Sequence, residues 1–147
     1  MKSKFIMTAL ALVPVLVFAQ TSPNLLGSWK GIGNAAVAGA DIYHPTEKDK
    51  EKSVRFTNME FTLVVDREEG RNFTGYISST SNKTTANADN KKMILGSYAK
   101  DKKSGVWVND VGGSATFKLA DSNILEVCYT HVSPKPMVAD CLEMIKQ

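Results

Sequence analysis

The sequence predicts an all-β fold, a single small antiparallel meander barrel of about eight strands. Three observations predict it: short segments alternate apolar and polar residues, turn-forming residues separate them, and most connections are short. Alternation with period two turns one set of side chains inward and the other toward solvent. Short connections favour antiparallel neighbours, and closing the sheet removes its exposed edges. A β-sandwich stays open as the alternative, since strand number and alternation fit both architectures.

The predicted strands are rich in β-branched and aromatic residues, which suit a half-buried pleated surface. They cover residues 25–37, 55–66, 72–79, 92–99, 105–109, 114–119, 124–131 and 138–145. Alternation is clearest over residues 59–63. Gly, Asn and Asp residues at 68–70, 109–113 and 121–123 tolerate the backbone angles of tight turns and end the strands there.

Two predicted connections, 39–53 and 79–91, are longer than the rest. Loops of this length usually bind ligands or are mobile. The first contains Tyr43 and His44, which combine aromatic surface with a ring that titrates near neutral pH. We therefore expect these two residues to contribute to any small-molecule site at the mouth of the barrel, because loops on rigid scaffolds often carry binding groups.

The first nineteen residues have the pattern of a signal peptide. Lys2 and Lys4 precede an apolar run over residues 5–18, which is too short to span a bilayer stably. The run ends with Val17 and Ala19 at the positions that signal peptidase prefers. We predict that residues 1–19 are a signal peptide and that residues 20–147 form a single β domain. The style of the signal is bacterial, so the expected location is the periplasm or the cell exterior.

Charge gives no reason to expect a nucleic-acid partner. The chain has 18 Lys and Arg residues against 15 Asp and Glu residues, but Lys2 and Lys4 lie in the predicted signal peptide, which leaves the mature chain at +1. Nucleic-acid binding depends on clustered positive charge. No segment after residue 19 approaches membrane-spanning length, so no membrane span is expected.

Cys128 and Cys141 are the only cysteines, and an exported chain favours their oxidation. They lie on the last two predicted strands, so we predict a structural disulfide across a terminal hairpin. That register places Glu126 opposite Glu143, which is unfavourable unless both carboxylates are well exposed or a bulge shifts the pairing. On the other face of the hairpin, the same register places four apolar side chains side by side toward the interior: Leu125, Val127, Leu142 and Met144.

Sequence motifs for catalysis are missing. The sequence has no nucleophile elbow, phosphate-binding glycine loop, zinc-binding helix motif or EF-hand loop. His44 and His131 are the only histidines. With Asp140 or another carboxylate they would form an acid–base pair if the fold brings them together, but isolated surface histidines are commoner. We assign no catalytic residue, metal ligand or cofactor.

The first strand resembles the opening of the calycin barrels, the lipocalins and avidins. Gly27 and Trp29 form the Gly-x-Trp pattern of that strand. In calycins the ring closes one end of the barrel, so the resemblance implies a buried, structural Trp29. Segments 73–76 and 95–98 resemble the Thr-Gly-x-Tyr strands of avidins, and Trp107 falls where a tryptophan strand is expected. The aromatic box of avidins is absent, so biotin binding is not implied.

Both ends of the mature sequence also resemble a group of small exported bacterial β proteins. These open with Leu-x-Gly-x-Trp-x-Gly-x-Gly-Asn, which residues 25–34 match. They close with Cys-Tyr-x-His-Val-x-Pro, matched by residues 128–134, and a second cysteine, here Cys141. The resemblance implies export but no particular activity.

The leading hypothesis is an exported barrel that binds an apolar or amphipathic small molecule. Its candidate binding residues are Tyr43, His44, Trp107, Tyr129 and His131. The alternative is a protein-interaction module, such as an inhibitor or an envelope accessory protein, that acts through its long loops. An enzyme ranks third. An open pocket lined by aromatic groups would favour the first function, and a filled interior with an exposed apolar patch would favour the second.

Overall fold

The computed structural model describes residues 24–38, 54–81, 91–132 and 137–147, which form one closed barrel. Each strand pairs antiparallel with the next, and the eighth returns to pair with the first. The strands are β1 (Gly27–Ala38), β2 (Val54–Glu69), β3 (Asn72–Ser81), β4 (Lys92–Tyr98), β5 (Ser104–Asn109), β6 (Gly113–Asp121), β7 (Ile124–Val132) and β8 (Met137–Lys146). The predicted meander barrel is confirmed, and the sandwich alternative is excluded.

Three predicted features fall outside these ranges: the signal peptide over residues 1–19 and the loop residues Tyr43 and His44. Within the described ranges there is no helix, and hence none of the length and apolarity needed to cross a membrane.

The strand boundaries differ most from prediction at the end of β2. The alternation of apolar residues breaks after Val65, yet β2 continues to Glu69. A register shift between Val65 and Arg67 accounts for the difference. It adds one residue to β2 without interrupting the pairing with β3, as a β-bulge does.

Because successive strands alternate in direction, the connections gather at two ends of the barrel. Tight turns join β2 to β3, β4 to β5 and β6 to β7 at one end, which we call the turn end. The connections that follow β1, β3, β5 and β7 lie at the opposite end, which we call the loop end. Of these, the β5–β6 turn is described in full.

Aromatic side chains pack the interior from the turn end to the middle of the barrel, where Phe117 and Trp107 lie. Phe117 contacts three other rings, those of Phe73, Tyr98 and Trp107, with centroid separations of 5.6–5.7 Å. Aromatic pairs at such separations contribute beyond the area they bury. Trp29 is fully buried beside this cluster, and its Nε1 donates a hydrogen bond of 2.7 Å to the Leu25 carbonyl oxygen.

A hydrogen-bond network seals the turn end. The Leu25 amide donates to the Tyr98 hydroxyl and to Glu68 Oε1, each at 2.8 Å. The Tyr98 hydroxyl in turn donates to Glu68. Burial raises the pKa of Tyr98, and the hydrogen bond to the Glu68 carboxylate raises it further. The phenol therefore stays protonated and keeps donating at physiological pH.

The predicted disulfide and the register built on it are confirmed. Cys128 and Cys141 are bonded to each other across β7 and β8, and Glu126 faces Glu143. Both glutamates are exposed, so water screens the repulsion between them and no bulge is needed. The predicted inward stripe is buried on the opposite face, where it consists of Leu125, Val127, Leu142 and Met144.

Candidate functional site

Polar side chains occupy the inner face of the barrel toward the loop end. Asn109 is the last residue of β5, and Tyr129 and His131 lie two residues apart near the end of β7. Asp140 on β8 is the ladder partner of Tyr129. We call these four residues the loop-end cluster. Because side chains two residues apart share a face of a strand, Tyr129 and His131 lie on the same wall.

Asn109 connects the β5–β6 turn to the cluster. Its Oδ1 accepts hydrogen bonds from the amides of Gly113, at 2.6 Å, and Val111, at 3.2 Å. Its Nδ2 donates to the Tyr129 hydroxyl at 3.0 Å. Asparagine commonly stabilises turns in this way. Here the same side chain also fixes the position of the Tyr129 hydroxyl.

A glycine is required beside this hydrogen bond. A Cβ atom at Gly113 would lie 2.2 Å from the Tyr129 hydroxyl oxygen and 2.5 Å from Asn109 Nδ2. Both distances are too short for nonbonded atoms, so a larger residue would displace one partner. Burial raises the pKa of Tyr129, and the hydrogen bond from Asn109 partly opposes that shift.

Asp140 is the most unusual member of the cluster. The residue is only 6% exposed, and its Oδ2 atom has no hydrogen-bond partner among the residues that the structure describes. The carboxylate lies against Gly33 of β1, where a Cβ atom would come within 2.0 Å of Oδ2. Burial raises the pKa of Asp140, and a hydrogen bond from the Cys141 amide lowers it by less. None of the described residues forms an ion pair with this carboxyl group.

Two further buried polar atoms have no hydrogen-bond partner among the described residues: His131 Nε2 and Trp107 Nε1. Trp107 is 1% exposed and its ring stacks on Phe117, with an interplanar angle of 24°. An unsatisfied buried donor or acceptor costs about 1–3 kcal/mol. Such groups are rare in native proteins, and each calls for an explanation. The barrel interior therefore has hydrogen-bonding capacity that the described residues do not use.

The structure places three of the five predicted binding residues on the inner side of the barrel: Trp107, Tyr129 and His131. Tyr43 and His44 lie outside the described residues. Trp107 precedes Asn109 by two residues on β5 and so lies on the same face of that strand, and Asn109 donates a hydrogen bond to Tyr129.

Sequence reasoning missed Asn109 as a site residue. Its position before a glycine pair predicts a turn, and that role is correct, but its contact with Tyr129 depends on the pairing of three strands. The burial of Asp140 is a second feature that the sequence analysis lacks, although a register that pairs Cys128 with Cys141 places Asp140 opposite Tyr129. Among the described residues, no group of three His, Cys, Asp or Glu side chains is arranged to hold a metal ion.

We expect Asp140→Asn to stabilise the protein at neutral pH, by about 1–3 kcal/mol, because it removes a buried charge for which the described residues provide no counter-charge. The folded-state pKa of Asp140 is raised, so the folded protein binds this proton more tightly than the unfolded chain. Wild-type stability should therefore fall, relative to the variant, as pH rises from about 3 to 7.

Urea unfolding of both proteins across this pH range measures the difference. Asp110→Asn is the matched control, since it makes the same substitution at an exposed residue of the β5–β6 turn. A wild-type protein that is more stable than Asp140→Asn at pH 7 would contradict the expectation.

The outer face of the barrel carries an apolar patch. Tyr76 faces Met93 across β3 and β4, and Leu95 faces Val108 across β4 and β5. With Val106 these residues form what we call the outer patch; each is 43–53% exposed. Contiguous exposed apolar residues on a small protein are often interaction sites.

Comparison of this chain with protein-family models, with curated proteins and with solved structures gave no match.

Proposed function

We propose that the barrel binds a small molecule with an apolar body and at least one polar group, in the half of its interior nearest the loop end. The observation that carries the proposal is the set of buried polar atoms, above all Asp140 Oδ2, that have no hydrogen-bond partner in the described part of the chain. Ligand sites are typically apolar walls with a few placed polar groups. Here the rings of Tyr129 and Trp107 would form the apolar wall of the site, and His131 and Asp140 would provide its polar atoms.

The difference between the two ends of the barrel supports this placement. The turn end is packed with aromatic rings and sealed by the bonds among Leu25, Glu68 and Tyr98. Polar groups without partners would be a cost without benefit in a purely structural interior. A ligand that supplies their hydrogen-bond partners offsets that cost.

Export to the periplasm or the cell exterior is part of the proposal. Disulfides persist in oxidising compartments, and the bond between Cys128 and Cys141 is compatible with such a location. The signal-like pattern of residues 1–19 supports it independently.

Native mass spectrometry of protein purified from the periplasm of its own host tests both points. We expect a discrete added mass that is lost on denaturation, on a chain beginning at Gln20 or Thr21. Trp107→Phe, which keeps a ring but removes Nε1, should lower the fraction of the protein that carries the added mass. Trp29→Phe is the matched control, because it alters the sealed turn end and should leave the ligand bound.

The proposal fails if the folded wild-type protein carries no added mass and binds no offered ligand saturably. A chain that retains Met1–Ala19 would contradict export instead.

The second candidate function is protein interaction, and the outer patch favours it. Leu95→Lys together with Val106→Lys would place two charges in the patch without touching the interior, since both side chains point outward. If this variant keeps its added mass but loses a cross-linked partner that the wild type shows in the envelope, the outer patch is a separate interaction surface.

A further inference from the structure

The environment of Asp140 indicates the chemistry of the group that would bind there. Its carboxyl group is more than nine-tenths buried, with Oδ2 unpartnered, and the described residues supply no cation to it. Buried charges in proteins are usually paired, because burial without a counter-charge is expensive. We propose that Asp140 receives a protonated amine carried on an aromatic or other apolar body. This inference rests on the proposed function and specifies its ligand class.

The neighbouring rings favour the same class of ligand. Tyr129 is the ladder partner of Asp140, and its ring lies 6.1 Å from that of Phe61. Aromatic faces attract cations, most strongly where water is excluded. An apolar body gains from contact with these rings, while an ammonium group gains from both the carboxylate and the π-electrons.

Ligands of other charge fit less well. An anionic group near Asp140 would meet a like charge in a buried site, which disfavours binding. A neutral hydroxyl can donate a hydrogen bond to Oδ2 but leaves the charge of the carboxylate uncompensated. Charge-assisted hydrogen bonds are roughly twice as strong as neutral ones, so an amine is the better match.

Gly33 and Asn109 keep the carboxylate and the ring in place for this role. A side chain at position 33 would displace the carboxylate, since even a Cβ atom would come within 2.5 Å of Oδ1 and 2.0 Å of Oδ2. Asn109 holds the Tyr129 hydroxyl through its Nδ2. Neither residue supplies a charge, so the negative charge on this wall comes from Asp140 alone among the four residues of the loop-end cluster.

Calorimetric titration at pH 7.5 with three probes of matched size tests the inference: 2-phenylethylamine, 2-phenylethanol and phenylacetate. We expect the amine to bind at least about tenfold more tightly than the alcohol, and the acid to bind most weakly. Asp140→Asn should lower affinity for the amine about tenfold and leave that for the alcohol unchanged. Asp110→Asn, which neutralises an exposed carboxylate at the same end, should change none of the three.

The outcomes separate this inference from the proposed function. Equal affinities of wild type for amine and alcohol, or equal losses of both in Asp140→Asn, overturn amine recognition and leave a binding site of another specificity. Failure of all three probes, together with no retained mass in the native protein, overturns both proposals.

If Asp140→Asn does not fold, Gly33→Ala moves the carboxylate while retaining its charge. It should then reduce affinity for the amine more than for the alcohol, and equal losses would overturn amine recognition.

Discussion

Replacement of Trp29 by alanine is expected to lower the free energy of unfolding by about 3–5 kcal/mol, the range for deleting a buried large aromatic side chain. The ring is fully buried and belongs to the hydrophobic core. The variant also loses the hydrogen bond that Nε1 donates to Leu25, a residue held by Glu68 and Tyr98. The Lys146 ammonium, 5.1 Å from the ring centroid, loses a cation–π contact as well.

Chemical denaturation measures the difference in the free energy of unfolding, when both proteins are fitted with the same dependence of that free energy on denaturant concentration. Trp29→Phe, which retains most of the buried area, should lose clearly less stability than Trp29→Ala. Tyr76→Ala on the outer face removes an aromatic side chain that is 43% exposed and should cost much less than either. A folded Trp29→Ala protein with an unchanged melting temperature would rule out a structural role for this residue.

Loss of the disulfide is expected to cost about 3 kcal/mol. The two cysteines are 13 residues apart in sequence, and a closed loop of this size restricts the unfolded chain by roughly that amount. Both residues are exposed on the outer face, away from the core stripe of β7 and β8. The decrease in stability should therefore come from the greater conformational freedom of the unfolded chain, and not from disturbed packing in the folded protein.

Unfolding of the wild type with and without reductant measures this effect. The double variant Cys128→Ala and Cys141→Ala should match the reduced wild type and show no response to reductant. Equal stability of oxidised and reduced wild type would contradict the expected contribution. Two free thiols in protein taken from the periplasm would contradict the bond itself.

The pairing of β7 with β8 could be predicted residue by residue, whereas the end of β2 could not. Cys128 and Cys141 are the only partners available to each other, and a single known pair fixes the whole antiparallel register. No such marker exists for β2. Its bulge after Val65 depends on how the strand curves against β3, and the alternation of apolar residues carries no information about that curvature.

The candidate site was predictable in part for a similar reason. Trp107 was a candidate because it falls where the calycin resemblance expects a tryptophan strand, and the hairpin register puts Tyr129 on the same face as the inward stripe. The contact of Asp140 with Gly33 required closure of the barrel, which brings the first strand against the last. The bond from Asn109 to Tyr129 required the pairing of β5, β6 and β7 together. Local sequence patterns describe single strands and their turns, and they do not determine such contacts across the interior.

The chain enters the barrel at β1 and leaves it from β8 on the same side, where the Gln147 amide donates a hydrogen bond of 2.9 Å to the Ser28 carbonyl oxygen. Both points of attachment are thus at the turn end, whereas Asp140 lies in the half of β8 nearer the loop end. A fluorophore, an affinity handle or a fused protein joined at either point would stand clear of the cluster. Attachment to a sensor surface through the segment that follows β8 would therefore leave the loop end facing the solution.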